Sequence, residues 1–224
     1  MFLPLKDDNP LRVIPFQLVT VAIIAACVAV FAYQASLGKQ ESGMFSYALG
    51  MIPAVLFDIK QLPVALAWVP AEATLITSMF LHGGFMHLAG NMLYLWIFGD
   101  NIEDAMGHGR FILFYLLCGI AAALTEAWMN PSSEIPMVGA SGAISGVLGA
   151  YLILHPRRKV LVLVLFRILL PLPAYVVLGA WIGIQFLSLG QADSNVAWWA
   201  HIGGFVAGVL LIVPFRRRSV PLFN

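Results

Sequence analysis

Apolar residues are grouped along the chain into six long blocks, and most charged residues lie between them. A helix needs about 20 consecutive, mainly apolar residues to cross a bilayer. The pattern therefore predicts an all-α membrane protein, a six-helix bundle whose fourth helix is short. The predicted spans are residues 16–36, 84–102, 111–129, 141–154, 170–189 and 196–215.

The basic residues are divided unevenly between the segments that connect these spans. With six spans, only Lys39 and Lys60 fall on one side of the membrane. The positive-inside rule assigns the basic side to the cytoplasm, which predicts that both termini are cytoplasmic. The residues on that side are Lys6, Arg12, Arg110, Arg157, Arg158, Lys159, Arg167, Arg216, Arg217 and Arg218.

Composition supports a multi-pass membrane protein. Of the 224 residues, 61% are hydrophobic and 10% are charged, whereas soluble domains have about 25% charged residues. A net charge of +1 gives no support to a nucleic-acid partner. Cys27 and Cys118 lie within apolar blocks, so we expect buried or lipid-facing thiols rather than a disulfide or metal ligands. The length predicts a single membrane domain, residues 1–224.

Two segments outside the spans carry expectations of their own. Residues 1–15 contain acidic residues and prolines and no small-residue cleavage site, so we expect a short cytoplasmic segment rather than a cleaved signal. Residues 37–78 form a long outer loop with an apolar patch at residues 49–57. This patch predicts a short helix that lies in the lipid headgroups.

Polar side chains within the predicted spans are candidates for function, because they are costly inside a bilayer. A helix rises by about 1.5 Å per residue, so Ser141 lies roughly 24 Å above Arg157. By the same count His201 lies roughly 22 Å above Arg216. The candidates are His82, His87, Asn91, Glu126, Ser141, Ser145 and His201.

The second span reaches a similar depth. His87 lies roughly 24 Å above Glu103, and Asn91 is one turn deeper on the same face. Three spans therefore carry polar groups at matching heights, below the outer surface of a hydrocarbon core about 30 Å thick. A lone serine often bonds to a carbonyl one turn earlier, which we expect of Ser145. A lone histidine in a membrane often forms a hydrogen bond to a neighbouring helix. Neither of these structural roles explains why Ser141 and His201 lie at the same depth.

Glycines give the fourth and sixth spans a means of close approach. Gly142 and Gly146 form a GxxxG pattern on one span, and Gly204 and Gly208 form another on the other. Small residues allow helix backbones to come close together in lipid. We therefore expect Ser141 to lie within hydrogen-bonding distance of His201, although ordinary packing also accounts for the glycines.

Such a pair permits nucleophilic catalysis. A serine hydroxyl becomes a nucleophile when a base takes its proton, and His201 is the candidate base. Glu126 is the one acidic residue near the right height, but nothing places it beside His201, so we expect a Ser–His dyad. The Ser141 N–H, the Asn91 amide and the His87 ring are candidate donors to an oxyanion.

Metal chemistry is disfavoured. His82 and His87 lie about 140° apart around a helix, which is poor ligand geometry, and the sequence contains no HExxH motif. We therefore expect neither a metal nor another cofactor.

Three motifs together resemble the rhomboid family of intramembrane serine proteases. They are GASG around Ser141, HGGFMHLAGN from His82 to Asn91 and AHIGGFVAG around His201. The resemblance covers residues from about 75 to 215 and implies Ser141 as nucleophile, His201 as base, and His87 and Asn91 as oxyanion side chains. It also implies that the substrates are single-span membrane proteins cut near the outer membrane boundary, and that the chain is a minimal prokaryotic-like form in the plasma membrane.

One departure and one rival function qualify the resemblance. Some members carry an aromatic ring four residues after the nucleophile, stacked on the catalytic histidine, but here that residue is Ser145. His201 must therefore be oriented by something else. A non-catalytic rhomboid-like protein that binds membrane clients is the alternative, and it would be expected to lack the serine or the histidine. The fifth span, with Pro171 and Pro173 near its start, and the outer loop 191–195 are candidates for an element that opens to admit substrate.

Overall fold

The computed structural model describes residues 2–165, 167–189 and 196–223 of the chain. Most of these residues are helical. In chain order the strands and α-helices are β1 (Phe2–Asp7), α1 (Leu18–Ser36), α2 (Lys39–Leu49), α3 (Pro53–Leu56), α4 (Thr74–Thr77), α5 (Phe85–Met106), α6 (His108–Met129), α7 (Ser141–Leu154), β2 (Lys159–Val164), β3 (Ile168–Pro173), α8 (Ala174–Leu187) and α9 (Trp198–Phe215).

The helices α1, α5, α6, α7, α8 and α9 agree with the predicted spans to within four residues at each end. The fourth span, α7, has the predicted bounds, and α5 continues to Met106, where Gly107 ends it with a φ of 84°. Among the described residues α1, α6 and α9 are long and apolar enough to cross a membrane. A fourth span results if the segment Val64–Phe80 and α5, which meet at an 80° bend, are taken as one. The shorter apolar helices α7 and α8 do not meet that criterion, so six spans remain a prediction.

The prediction of an all-α fold misses a three-stranded antiparallel sheet. β1 and β3 pair with opposite edges of β2. Alternate residues of β2, Val160 and Val162, are fully buried, which is the two-residue period of a strand. Pro171 and Pro173, which lack an N–H, are tolerated because β3 is an edge strand. The predicted fifth span therefore began too early, inside β3, and the N-terminal segment contributes β1.

The loop 37–78 also differs from the prediction. Its apolar patch does not form one interfacial helix, because α2 ends at Leu49 and the short α3 follows. Met51 is fully buried and packs with Ala123 and Ala127 of α6. Met51 also exchanges backbone hydrogen bonds with Met137, at N–O distances of 3.1 and 2.8 Å. The patch is thus part of the protein interior and braces the segment that precedes α7.

Helix α7 lies at the centre of the bundle, packed against α5, α6 and α9. The predicted close approach of α7 and α9 is confirmed. A methyl group added at Gly204 would overlap the carbonyl oxygen of Gly142, and one added at Gly208 would overlap that of Gly146. Only glycine at these positions allows the two backbones to be in direct contact.

At the opposite end from Ser141, α5, α7 and α9 terminate among the arginines of residues 157–158 and 216–218, and we call this the basic end. Two buried carboxylates of α5 hold the start of the chain there. Asp104 accepts three successive backbone N–H groups of residues 12–14 at 2.7–3.0 Å. Glu103, which is fully buried, accepts the N–H groups of Val19 and Thr20 and the Thr20 hydroxyl at 2.7–2.9 Å.

Candidate functional site

Ser141 is the first residue of α7, at the end of the bundle away from the basic end. The chain reaches it through Gly139, whose φ of 127° is accessible mainly to glycine. The Gly139 N–H donates to the carbonyl of Ser78 at 2.9 Å, which fixes this turn. The Ser141 N–H has no acceptor one turn earlier within the helix, because it belongs to the first turn.

The structure brings Ser141 and His201 together, as the matching depths predicted. The Ser141 Oγ lies 2.9 Å from the His201 Nε2. The contact crosses the same α7–α9 interface in which Gly204 and Gly208 pack against Gly142 and Gly146. Ser145, one turn further, donates its hydroxyl to the Ser141 carbonyl at 2.6 Å, as expected of a serine inside an apolar helix.

The other ring nitrogen of His201 has a partner that the sequence reasoning missed. The His201 Nδ1 lies 2.7 Å from the Oε1 of Gln185 on α8. The sequence contains a signal for this contact. Gln185 is a lone amide in an apolar block, and Gln185 and His201 are equally distant from residue 193, which lies between their helices. A helical hairpin centred there would place the two at one depth.

Two indole rings flank the imidazole of His201. Ser145, at the position where some family members carry an aromatic residue, contributes no ring. The Trp181 ring centroid lies 5.8 Å from that of His201, with the planes tilted by 41°. The Trp198 ring meets His201 edge-on at 6.0 Å. The aromatic rings beside His201 therefore come from α8 and α9 rather than from α7.

His87 and Asn91 lie on α5, facing the turn before Ser141. A methyl group added at Gly139 would come within 2.8 Å of the His87 Nε2 and 3.6 Å of the Asn91 Nδ2. The Asn91 Nδ2 is buried and has no hydrogen-bond partner among the described residues. An unpaired buried donor is costly, and this one lies beside the turn that leads to Ser141. The rings of His82 and His87 pack in a T-shaped arrangement with their centroids 5.3 Å apart.

Glu126 reaches this end of the molecule but does not contact His201. Its carboxylate accepts the Ala200 N–H at 3.2 Å and the Asn130 side-chain amide at 2.7 Å. It therefore binds the first turn of α9, where free N–H groups and the helix dipole favour an anion.

A cavity of about 1330 Å³ opens at this end, and Ser141, His201, His87 and Asn91 all line it. Its wall includes apolar side chains and the small residues Gly119 and Ala122 of α6.

No cluster of metal-ligating side chains occurs among the described residues. Of the two candidates for an opening element, the fifth predicted span corresponds mainly to α8, whose Trp181 lines this cavity, while Pro171 and Pro173 lie in β3 and do not line it. The loop 191–195 lies outside the described residues. The arrangement has the elements needed for acyl transfer: a hydroxyl, an adjacent base, and donors beside them.

Comparison with known proteins identifies relatives of this chain. A sequence profile described as the Rhomboid domain matches residues 70–218. Rhomboid protein 1, mitochondrial, of Saccharomyces cerevisiae is 32% identical over 185 residues, which cover 73% of this chain and 51% of the yeast protein. Rhomboid protease GluP of Bacillus subtilis is 38% identical over 136 residues, covering 60% of this chain and 24% of GluP. RHOMBOID-like protein 5 of Arabidopsis thaliana is 34% identical over 137 residues, covering 61% of this chain and 42% of that protein.

The matched region thus corresponds to between about a quarter and about half of these relatives' own length. The profile match, residues 70–218, contains the residues of α5 to α9 that line the cavity.

Proposed function

The chain belongs to the rhomboid family, and from that premise we propose that it is an intramembrane serine endopeptidase. Its substrates would be single-span membrane proteins, cut near the outer membrane boundary. The observation that carries the proposal is the 2.9 Å separation of the Ser141 Oγ and His201 Nε2 in the wall of a cavity. The match to a relative named as a protease supports it.

In the proposed first step the Ser141 Oγ attacks the carbonyl carbon of the scissile peptide while its proton passes to the His201 Nε2. The imidazolium then gives that proton to the leaving amine, and the carbonyl re-forms as an acyl ester on Ser141. Water that enters through the cavity hydrolyses the ester, with His201 again acting as base. The chemistry needs no cofactor, because each proton is held by a side chain of this chain.

The tetrahedral intermediate carries a negative oxygen that needs hydrogen-bond donors. We assign this role to the Ser141 N–H and to the side chains of Asn91 and His87. The unpaired Asn91 Nδ2 supports the assignment. A donor that is unpaired before the reaction and paired in the transition state contributes directly to rate, since it stabilises only the transition state.

The chain is an integral membrane protein, and we propose six spans: α1, the bent pair ending in α5, α6, α7, α8 and α9. The basic end would then face the cytoplasm with both termini, and the cavity would open near the outer surface. A prokaryotic plasma membrane fits this arrangement. In it the substrate would be a transmembrane helix that enters from the bilayer and unwinds beside Ser141.

Replacement of the nucleophile tests the proposal. We expect Ser141→Ala to abolish cleavage of a single-span substrate in liposomes, while the thermal unfolding midpoint stays within a few degrees of wild type. Ser145→Ala is the matched control, because this serine lies one turn away and bonds only to a backbone carbonyl. Cleavage by Ser141→Ala at the wild-type rate would refute the proposal.

A fluorophosphonate probe separates an enzyme from a client-binding protein without a known substrate. The probe should label Ser141 in the wild type and lose most of its rate in His201→Ala, since the base is then missing. Absence of labelling in the folded wild type would favour the non-catalytic alternative.

A further inference from the structure

Gln185 is a buried amide, 5% exposed, on a helix whose other residues from 174 to 187 are apolar apart from one tyrosine and two glycines. A buried amide in such surroundings needs partners for both of its ends. It has both: its Oε1 lies 2.7 Å from the His201 Nδ1, and its Nε2 donates to the Trp181 carbonyl at 3.0 Å.

The second of these bonds fixes which way the amide points. A carbonyl oxygen can only accept, so the NH₂ group of Gln185 must face Trp181. The oxygen then faces His201. Since an amide oxygen can also only accept, the Nδ1 of His201 must carry the proton.

The protonation of Nδ1 determines the state of the other ring nitrogen. A neutral imidazole carries one proton, so Nε2 presents its lone pair toward the Ser141 Oγ. This is the tautomer that a base needs in order to take the hydroxyl proton. When Nε2 becomes protonated, the amide dipole continues to stabilise the Nδ1–H of the imidazolium.

We propose that Gln185 is a positioning residue that holds His201 in the catalytic tautomer, a neutral counterpart of the third member of a serine triad. The inference rests on the proposed function of Ser141 and His201. Packing alone does not explain Gln185, because a methionine would fill the same space without a second buried bonding requirement. The inference also explains how His201 is oriented although Ser145 stands where an aromatic ring could stack.

Kinetics of three variants test the inference. In a serine triad the wrong tautomer costs about 10⁴ in turnover, and because a neutral amide stabilises the imidazolium less, we expect Gln185→Met to lower kcat by roughly 10–100-fold. KM should stay within about twofold, since Gln185 does not line the cavity. Gln185→Glu should regain most of the lost turnover when its carboxyl is protonated, because it then keeps an acceptor oxygen toward Nδ1 and a donor toward the Trp181 carbonyl. Gln34→Met is the matched control, because Gln34 is a buried glutamine that bonds a backbone N–H of His82 on the other side of the site.

A spectroscopic readout reports the tautomer without any substrate. The ¹⁵N spectrum of the wild-type protein, with His201 assigned by comparison with His201→Ala, should show a protonated Nδ1 and a bare Nε2. In Gln185→Met the signal should shift toward the other tautomer. A wild-type His201 protonated at Nε2, or a Gln185→Met enzyme with turnover within threefold of wild type, would overturn the inference.

The two proposals fail in different ways. If Ser141→Ala still cleaves, the proposed function fails, whereas the ¹⁵N spectrum still decides the tautomer. If Ser141→Ala is inactive and Gln185→Met is fully active, the dyad stands and only the role of Gln185 is lost.

Discussion

The two ends of the α-helical bundle both bury polar side chains in apolar surroundings, but they use them differently. At the basic end the carboxylates of Glu103 and Asp104 accept six hydrogen bonds from residues 12–20, five of them from backbone N–H groups, and Glu103 also contacts the His108 Nδ1. At the cavity end the Asn91 amide donor is unpaired. A satisfied buried group stabilises a fold, whereas an unpaired donor facing a cavity is available to a reacting molecule.

Glu126 shows that position alone does not decide between these uses. It lies at the cavity end, yet its carboxylate is bonded to the first turn of α9 and to Asn130. Because its carboxylate already accepts hydrogen bonds within the fold, Glu126 resembles the structural residues Glu103 and Asp104. An acidic residue at the right depth is therefore a third triad member only if its oxygen reaches the histidine, and here the amide of Gln185 does so instead.

The largest expected effect on stability lies at the basic end. Glu103→Leu would leave the N–H groups of Val19 and Thr20 and the Thr20 hydroxyl without their acceptor. Each unpaired buried donor costs about 1–3 kcal/mol, so we expect the free energy of unfolding to fall by several kcal/mol. Thermal unfolding in detergent should show a midpoint lower by roughly 10 °C.

If the two ends differ in this way, activity depends on the cavity end and not on Glu103. Turnover per folded molecule of Glu103→Leu should stay near the wild-type value below the unfolding transition, because no atom of Glu103 lines the cavity. A folded Glu103→Leu protein with unchanged stability would show that the carboxylate is dispensable and would break the comparison.

A pair of asparagines on α5 sharpens the same contrast. Asn91→Ala should lower turnover by about 10²-fold, the cost of a lost oxyanion donor, without lowering stability, since its Nδ2 has no partner to lose. Asn101→Ala should do the reverse, because the Asn101 Nδ2 donates to Asp100 and Asp7 at 2.6 and 3.2 Å. The measurements are kcat in liposomes and the unfolding midpoint in detergent. If Asn101→Ala lost turnover and Asn91→Ala did not, the assignment of function to the cavity end would be wrong.

The sequence predicts the helical part of this arrangement well, because length and apolarity determine where a membrane helix starts and stops. It also predicts that Ser141 and His201 meet, since a constant rise per residue converts sequence distance into depth and glycines permit close approach. The sheet escaped prediction because residues 170–173 fall within the predicted fifth span and residues 159–169 within the basic segment that precedes it. The two-residue burial period of β2 appears only when β1 and β3 pair with it.

Gln185 escaped prediction for a different reason. Gln185 lies outside the three motifs around Ser141, His87 and His201, and a lone amide in an apolar block does not by itself indicate a role beside a histidine. Its importance depends on which end of the amide faces His201, and the Trp181 carbonyl decides that. Such a constraint comes from a backbone atom on another turn, which spacing alone does not specify.

The smallest expected effect is a pH dependence of stability at the basic end. His155 directly follows α7 and is 7% exposed, and its Nδ1 has no partner among the described residues. Burial, with Arg158 and Arg12 nearby, lowers the pKa of His155 to about 4, although the Asp104 carboxylate acts in the opposite direction. The unfolded chain, with a histidine pKa near 6.5, therefore binds more protons than the folded protein between these two values. Stability falls as the pH is lowered through this window.

From pH 7.5 to 5.5 this linkage predicts a loss of about 1.3 kcal/mol from His155. His155→Gln should remove that part of the pH dependence while the kinetics at the cavity end keep their own profile. The check is the unfolding midpoint of both proteins at the two pH values. Asp7 also titrates at the basic end, but burial raises the pKa of its carboxyl, so its contribution has the opposite sign and is common to both proteins. If the unfolding midpoints of wild type and His155→Gln changed equally with pH, protonation of His155 would not be the cause of the lower stability in acid.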